Sequence, residues 1–283
     1  MSMDWKACCR EIRCDILRCI GHLGVGHIGG CLSVVELLAV LYFEEMNIDP
    51  ADPKKPGRDR FVCSKGHAGP AVYATLSNRG YFDKAELLTL NQGGTHLPSH
   101  CDMNLTRGID MTTGSLGQGV SLAVGSALAC KLQGRSNRVF VFVGDGECNE
   151  GQVWEACEAA NHEKLDHFIV FVDWNKKQLD GRLEQISDPV DLAQKFTAFG
   201  FDTQTVKGYD VEEIWNAIER AKAVSGKPHC ILLDTIKGLG VNFAEAQDFN
   251  HYMTFSKEVA ENAIAEIERR LADGTYPGGD FTW

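Results

Sequence analysis

The chain has 283 residues, 44% hydrophobic and 24% charged, which is enough apolar material for a sizeable core and excludes a disordered polyelectrolyte. With 28 basic and 39 acidic residues the formal charge is −11, a balance that repels nucleic acid and anionic membranes and leaves any anionic ligand to be held by local geometry. No stretch approaches about 18 consecutive apolar residues, and the opening Met1-Ser2-Met3-Asp4-Trp5-Lys6 lacks the basic-then-apolar run of a signal peptide, so a cytoplasmic protein is expected.

The elements alternate along the chain. An amphipathic helix is expected over 4–20, ended by the glycines at 21, 24 and 26, and a second from Ser33, as N-cap, to Glu45. A Pro-rich turn, 49–56, leads into the short apolar run 60–64. Arg138-Val139-Phe140-Val141-Phe142-Val143 is continuous, β-rich and bounded by Gly144, as a strand buried on both faces should be. A helix over 151–162 follows, then a second such strand over 168–173. Further strands are expected at 203–206 and 230–234, with a helix near 211–224 between them and a charged helix over 256–271 at the end. This order predicts an α/β fold with a doubly wound, mostly parallel sheet flanked by helices, in one domain spanning 1–283. The eleven cysteines are odd in number, scattered from Cys8 to Cys230 and form no C-x-x-C pair; they read as reduced, mostly buried thiols rather than disulfides or a zinc site.

The strongest local signal is Gly144-Asp145-Gly146-Glu147-Cys148-Asn149-Glu150-Gly151, followed by Asp173-Trp174-Asn175-Lys176-Lys177. Asp145 lies just past one buried strand and Asn175 just past the next. If a right-handed crossover makes these strands parallel neighbours, about 4.8 Å apart, both side chains converge on the crevice where open α/β sheets bind ligands. A carboxylate and an amide oxygen are hard ligands suited to Mg2+ or Ca2+, and a diphosphate with water could complete the roughly six oxygens Mg2+ requires. Gly144 and Gly146 allow close approach of phosphate oxygens, and the helix that follows adds its N-terminal dipole. Alone, Gly144-Asp145-Gly146 reads equally as a strand-to-helix turn with an acidic cap. The run fails as a dinucleotide fingerprint, because Asn149 stands where the third glycine belongs, and no G-x-x-x-x-G-K-[ST] loop occurs.

These residues resemble the thiamine-diphosphate enzymes, whose Gly-Asp-Gly is followed about thirty residues later by Asn. Four more segments are similar to transketolases: Gly26-His27-Ile28-Gly29-Gly30, Ser64-Lys65-Gly66-His67-Ala68, Thr112-Thr113-Gly114-Ser115-Leu116-Gly117-Gln118-Gly119, and Asn250-His251-Tyr252 after Lys237-Gly238-Leu239-Gly240. The resemblance implies thiamine diphosphate as cofactor with Mg2+, for which Ca2+ or Mn2+ can substitute. The metal would be held by Asp145, Asn175 and the backbone carbonyl of Lys177, whose side chain should point away. The cofactor would touch His67, Gly114, Ser115, Leu116, Asp145, Gly146, Glu150, Asn175 and His251, with Gly114 at the aminopyrimidine and Leu116 near the thiazolium. His27 and His100 would face the C1 and C2 oxygens of the ketol unit, while His67 and His251 would bridge diphosphate and reacting oxygens. Glu150 would sit across an interface from the partner's activating glutamate. Ile28, where the family has proline, should loosen the loop holding His27, and Leu97-Pro98-Ser99-His100-Cys101 only approximates the family form.

Near neutral pH an imidazole both donates and accepts protons, as sugar hydroxyls and a developing alkoxide require. His22, His96, His162, His167 and His229 lie outside the matching loops and read as surface or satisfied core residues. Glu150 alone would be an ordinary acid stabilised at a helix N-terminus, and the small residues over 120–130 would serve close helix packing.

One domain is expected in this chain, without the pyrimidine-binding domain that the family needs. The resemblance therefore implies the N-terminal subunit of a split transketolase, moving a two-carbon ketol unit from a ketose phosphate to an aldose phosphate. It would act with a C-terminal subunit, as a homodimer of this chain within a heterotetramer. Alternatives are a specialised transketolase for an unusual sugar phosphate, the α chain of a 2-oxo acid dehydrogenase, a deoxyxylulose-phosphate synthase, and a non-catalytic binding module.

Overall fold

Five strands form one sheet in the computed structural model, which describes residues 3–275. They are β1 (Arg60–Cys63), β2 (Val139–Gly144), β3 (Phe168–Trp174), β4 (Asp202–Lys207) and β5 (His229–Asp234). Their order is β1-β2-β3-β5-β4, and every neighbouring pair is parallel. The apolar runs are continuous because both faces are covered. Phe140, Phe142, Ile169, Phe171, Ile231 and Leu233 enter one core layer. Val139, Val141, Val143, Val170, Val172 and Leu232 enter the other, following the two-residue side-chain period of a strand. The α/β fold with a parallel sheet is as the sequence predicts.

Six longer helices cover these layers: α1 (Trp5–Leu23), α2 (Gly69–Arg79), α3 (Gln118–Leu132), α4 (Gly151–His162), α5 (Val211–Lys222) and α6 (Lys257–Ala272). α3 and α4 pack on the second layer and the other four on the first. Caps set several ends. Asp4 accepts from Ala7 N at 3.1 Å at the start of α1, Asp210 accepts from both Glu212 N and Glu213 N before α5, and Ser256 caps α6.

Two expectations at the N-terminal end are corrected. Of the three glycines expected to end α1, Gly24 does so as a left-handed cap, φ 89°, so the helix runs past residue 20 and through Gly21. Gly21 instead lies where α1 crosses α6, and a Cβ there would sit 2.6 Å from the Ala260 Cβ. Ser33 is no N-cap either. The stretch breaks into Ile28–Leu32, Val35–Val40 and a wide π turn, Leu41–Glu45, and the Ser33 hydroxyl donates to Asp173 Oδ2 at 2.8 Å. A buried charge pair pins this region to α1: Arg13 donates to Glu36 at 2.8 Å and to Leu239 O at 3.0 Å. All eleven cysteines are free thiols, ten of them buried and Cys8 half-buried.

Candidate active site

The carboxyl ends of β1, β2, β3 and β5 open on one rim. The register pairs Gly144 with Asp173, and Asp145 N donates to Asp173 O at 3.2 Å. Asp145 accepts from Gly146 N at 2.8 Å and from Lys176 N at 2.6 Å, so its carboxylate is held by both strand ends. Lys176 adopts φ 65°, a left-handed conformation that turns the chain sharply between Asn175 and Lys177. Asn175 Nδ2 donates to Asp173 Oδ2 at 2.7 Å and its Oδ1 accepts from Lys177 N at 3.0 Å. Asp145, Gly146, Asn175 and Lys177 all line one cavity of about 370 Å3. The Lys177 side chain donates to the Gln247 carbonyl at 3.0 Å.

Beneath this rim lies a fully buried hub. Asp173 Oδ2 accepts from Ser33, from Asn175 and from the Lys65 ammonium, while its Oδ1 has no partner among the described residues. Burial, aided by the neighbouring Asp173 carboxylate, pushes Asp145 up to about 7 against the two N–H bonds that favour its ionised form. Such a carboxylate gains from a cation. Lys237 already places one nearby, its ammonium 3.1 Å from Lys177 O and 3.2 Å from Gln178 O. The donor set of carboxylate, amide oxygen and backbone carbonyl is all oxygen, the chemistry a hard divalent ion takes, and the residues therefore fit a metal-bridged diphosphate. No cluster of three or more His, Cys, Asp or Glu ligands occurs among the described residues.

Four separate loops bring their histidines together. The His27 ring lies 5.2 Å from His67, 5.8 Å from His100 and 5.2 Å from His251, and His67 lies 4.7 Å from His251. Burial, with help from His100 and Lys237, lowers His27 to about 4. Burial and the Lys237 charge lower His251 to about 3, burial and Lys65 take His67 well down, and burial lowers His100. All four are neutral at pH 7. Lys237 donates to His251 Nδ1 at 3.0 Å, which leaves Nε2 of that ring as its N–H donor. The loosening expected from Ile28 is countered: Ile28 is fully buried, and the next residue is pinned by Gly29 N to Asn250 O at 3.1 Å and Gly238 N to Gly29 O at 3.0 Å.

The carboxylate that organises the remaining loops is Glu147, which sequence reasoning passed over. It accepts from the Ser64 hydroxyl, from Gly117 N at 2.8 Å and from Gly144 N at 3.0 Å, tying three cofactor-type loops to one buried side chain. Burial raises its pKa against these bonds. Gly66 closes the same junction, since a Cβ there would lie 2.8 Å from the Thr113 carbonyl carbon. Glu150 is the exposed N-cap residue of α4, at the cavity's edge and without a capping bond. Leu116 and Leu179 line the cavity as exposed apolar side chains, 37% and 59% accessible, suited to the faces of a flat ring. Gly114 lies against the His100 ring, and exposed Ser115 lies between it and Leu116.

Leu179, Lys237, Lys65, Asp173 and Tyr252, whose ring lies 4.7 Å from His27, were also missed. Asp173 carried a signal as a charge ending a run of apolar strand residues, and Lys65, Lys237 and Tyr252 stand inside the matching loop segments without having been singled out; Leu179 carried none. The other histidines lie elsewhere: His22, His96 and His162 are exposed, His167 is half-buried, and His229 is buried beside Asp202 at 3.3 Å.

Comparison with known proteins agrees with this geometry. Residues 5–272 match the family described as "Transketolase, thiamine diphosphate binding domain". The chain is 52% identical to the 6-deoxy-6-sulfo-D-fructose transketolase subunit SqwG of Clostridium sp. (strain MSTE9), over 96% of this chain and 98% of that protein. It is 36% identical to one of the subunits of apulose-4-phosphate transketolase from Phocaeicola vulgatus, over 87% of each. Among solved structures it superposes on transketolase from Leishmania mexicana with a TM-score of 0.87 at 32% identity, covering 96% of this chain but 42% of that one. The chain thus spans less than half of that transketolase and nearly all of the first of these subunits. It belongs to the transketolase family, as a thiamine diphosphate-binding member.

Proposed function

We propose that this chain is one domain throughout, the diphosphate-binding N-terminal subunit of a two-chain transketolase. It transfers a two-carbon ketol unit from a ketose phosphate to an aldose phosphate, together with a C-terminal subunit carrying the pyrimidine-binding domain. The observation that carries this reading is the convergence of His27, His67, His100 and His251 beside the cavity lined by Asp145 and Asn175. Asp145, Asn175 Oδ1 and Lys177 O would hold Mg2+. His67, His251, Gly146 and the Gly114-Ser115-Leu116 loop would hold thiamine diphosphate, which supplies the electron sink that side chains lack. Neutral His27 and His100 would orient the C1 and C2 oxygens and move protons at them. Glu150, exposed at the cavity's edge, would meet the partner's activating glutamate. Two copies of this chain with two partners, in the cytoplasm, is the assembly we infer.

The relative at 52% identity is named for 6-deoxy-6-sulfo-D-fructose, and on that basis we propose this C6-modified ketose as a second donor to test. The test is reconstitution with a C-terminal transketolase subunit, Mg2+ and thiamine diphosphate. Ketol transfer to an aldose phosphate should be measured from xylulose 5-phosphate and from 6-deoxy-6-sulfofructose. Transfer that needs both chains is expected, and cofactor binding without transfer from either donor would refute the assignment.

A further inference from the structure

A second cavity, about 890 Å3, lies beside Arg60 at the amino end of β1, the opposite end of the sheet from the histidine cluster. Its lining is basic although the whole chain carries −11. Lys54, Lys55, Arg58, Arg60, Arg107 and Arg135 line it against only two carboxylates, Asp52 and Asp110. Three of the cations are spoken for. Arg58 pairs with Asp110, Arg60 donates to Ser126 Oγ at 3.2 Å, and Arg107 donates to Pro50 O at 2.8 Å. Lys54, Lys55 and Arg135 are exposed and their side chains have no partner among the described residues. A repelling background makes such a concentration of unpaired positive charge an anion trap, because the local field of the cleft opposes that of the rest of the surface.

Two further features shape the ligand. Asn137, buried at 6% exposure, lines the cavity, and its Oδ1, itself shielded from solvent, has no partner among the described residues, so a ligand hydroxyl that displaces its cover would satisfy it. The free cations come from two different segments, the Pro53–Pro56 turn and the connection from α3 to β2. They suit a molecule with anionic groups at both ends better than a single phosphate. One wall is the 102–112 loop, closed at its neck by Thr113 N to Cys101 O at 3.0 Å, and the neck joins directly to His100 and Gly114.

We propose that this cleft is a binding site for a small bisphosphorylated, hydroxyl-bearing metabolite of the sugar bisphosphate class, separate from the ketol-transfer site. Glucose 1,6-bisphosphate is a suitable probe because its phosphorylated C1 makes it neither a ketol donor nor a free aldehyde. Isothermal titration is carried out on the isolated chain and on the assembled two-chain enzyme, each saturated with thiamine diphosphate and Mg2+. One site per chain is expected in both, weakening as salt is raised and binding the probe at least tenfold tighter than inorganic phosphate. The triple variant Lys54→Glu, Lys55→Glu, Arg135→Glu should lose binding at least tenfold while thiamine diphosphate affinity stays within twofold, a control that also reports the fold. Equal affinity in the variant, equal affinity for inorganic phosphate, or no binding to either form overturns the proposal. Binding to the isolated chain that vanishes in the assembled enzyme overturns it too, identifying the cleft as a docking site for an acidic segment of the partner. Since the readout is binding, a failed ketol-transfer assay leaves this test intact.

Discussion

Asp173 holds the amide of Asn175 by a 2.7 Å hydrogen bond, and this contact fixes which atom of Asn175 faces the rim. With Nδ2 committed to Asp173, the oxygen is the atom left for the rim, where it accepts from Lys177 N at 3.0 Å in the cavity that Asp145 also lines. Because Lys65 and Ser33 bond the same Asp173 oxygen, the orientation is enforced from three loops at once. Replacing such a supporting partner of a metal ligand weakens metal binding about 10- to 100-fold. Asp173→Asn should therefore raise the Mg2+ concentration for half-maximal activation of the reconstituted enzyme by that factor. An unchanged Mg2+ titration would show that Asn175 needs no such support.

Glu147 is expected to matter for the cofactor loops more than for the metal. Glu147→Gln keeps the shape but turns one acceptor oxygen into a donor facing Ser64, Gly117 N and Gly144 N. An unsatisfied buried group costs about 1–3 kcal/mol. Thermal unfolding should shift down accordingly, and calorimetry should find thiamine diphosphate bound about tenfold more weakly. A loss of stability with unaltered cofactor affinity would reduce Glu147 to a folding role.

Lys237 acts on His251 through its charge and its hydrogen bond. The nearby cation is among the causes that lower His251 to about 3, so Lys237→Met should raise the imidazole pKa. It should also free the ring to adopt either tautomer. The acid limb of the kcat/KM pH profile should move upward, with a rate loss of roughly 10- to 100-fold at pH 7. A rate loss without a shifted limb would assign Lys237 to ligand contact alone.

Stability should itself depend on pH. His27 and His251 are lowered to about 4 and about 3 in the folded chain from an ordinary value of 6.5, chiefly by burial. Between pH 6.5 and those values the unfolded chain binds protons that the folded chain refuses, so stability rises with pH across this window and levels off above it. Urea midpoints should fall steadily from pH 7 to pH 4.5. The double variant His27→Gln, His251→Gln should flatten that slope, and an equally steep slope in the variant would exclude these rings as its source.

The sheet was legible in the sequence because its strands are buried on both faces and therefore written as unbroken apolar runs. Phe168 begins β3, and Gly151 and His162 bound α4, where the sequence places them. The metal-type pair Asp145 and Asn175 and the four histidines were legible from their loops. Ser33 and Gly21 misled because a hydroxyl that caps a helix and one that reaches a buried carboxylate look alike in one dimension, as do a glycine that ends a helix and one that lets another helix approach. Glu147, Lys65 and Lys237 were illegible for a related reason. Each is held by a partner far along the chain, 30 positions away for Glu147, 108 for Lys65 and 60 for Lys237, and nothing in their immediate sequence marks them as buried.

The ten buried thiols have a practical consequence. Burial raises Cys31 to about 12 and Cys157 to about 12, so these two hold almost no reactive thiolate at neutral pH, and all ten are shielded from reagents while the fold is closed. Only half-buried Cys8 stands partly open to an alkylating reagent. The remaining sulfurs are spread from α1 to β5, and each would be labelled only when its own neighbourhood opens. The molecule therefore carries its own set of timers for local unfolding, readable by mass spectrometry without adding a probe.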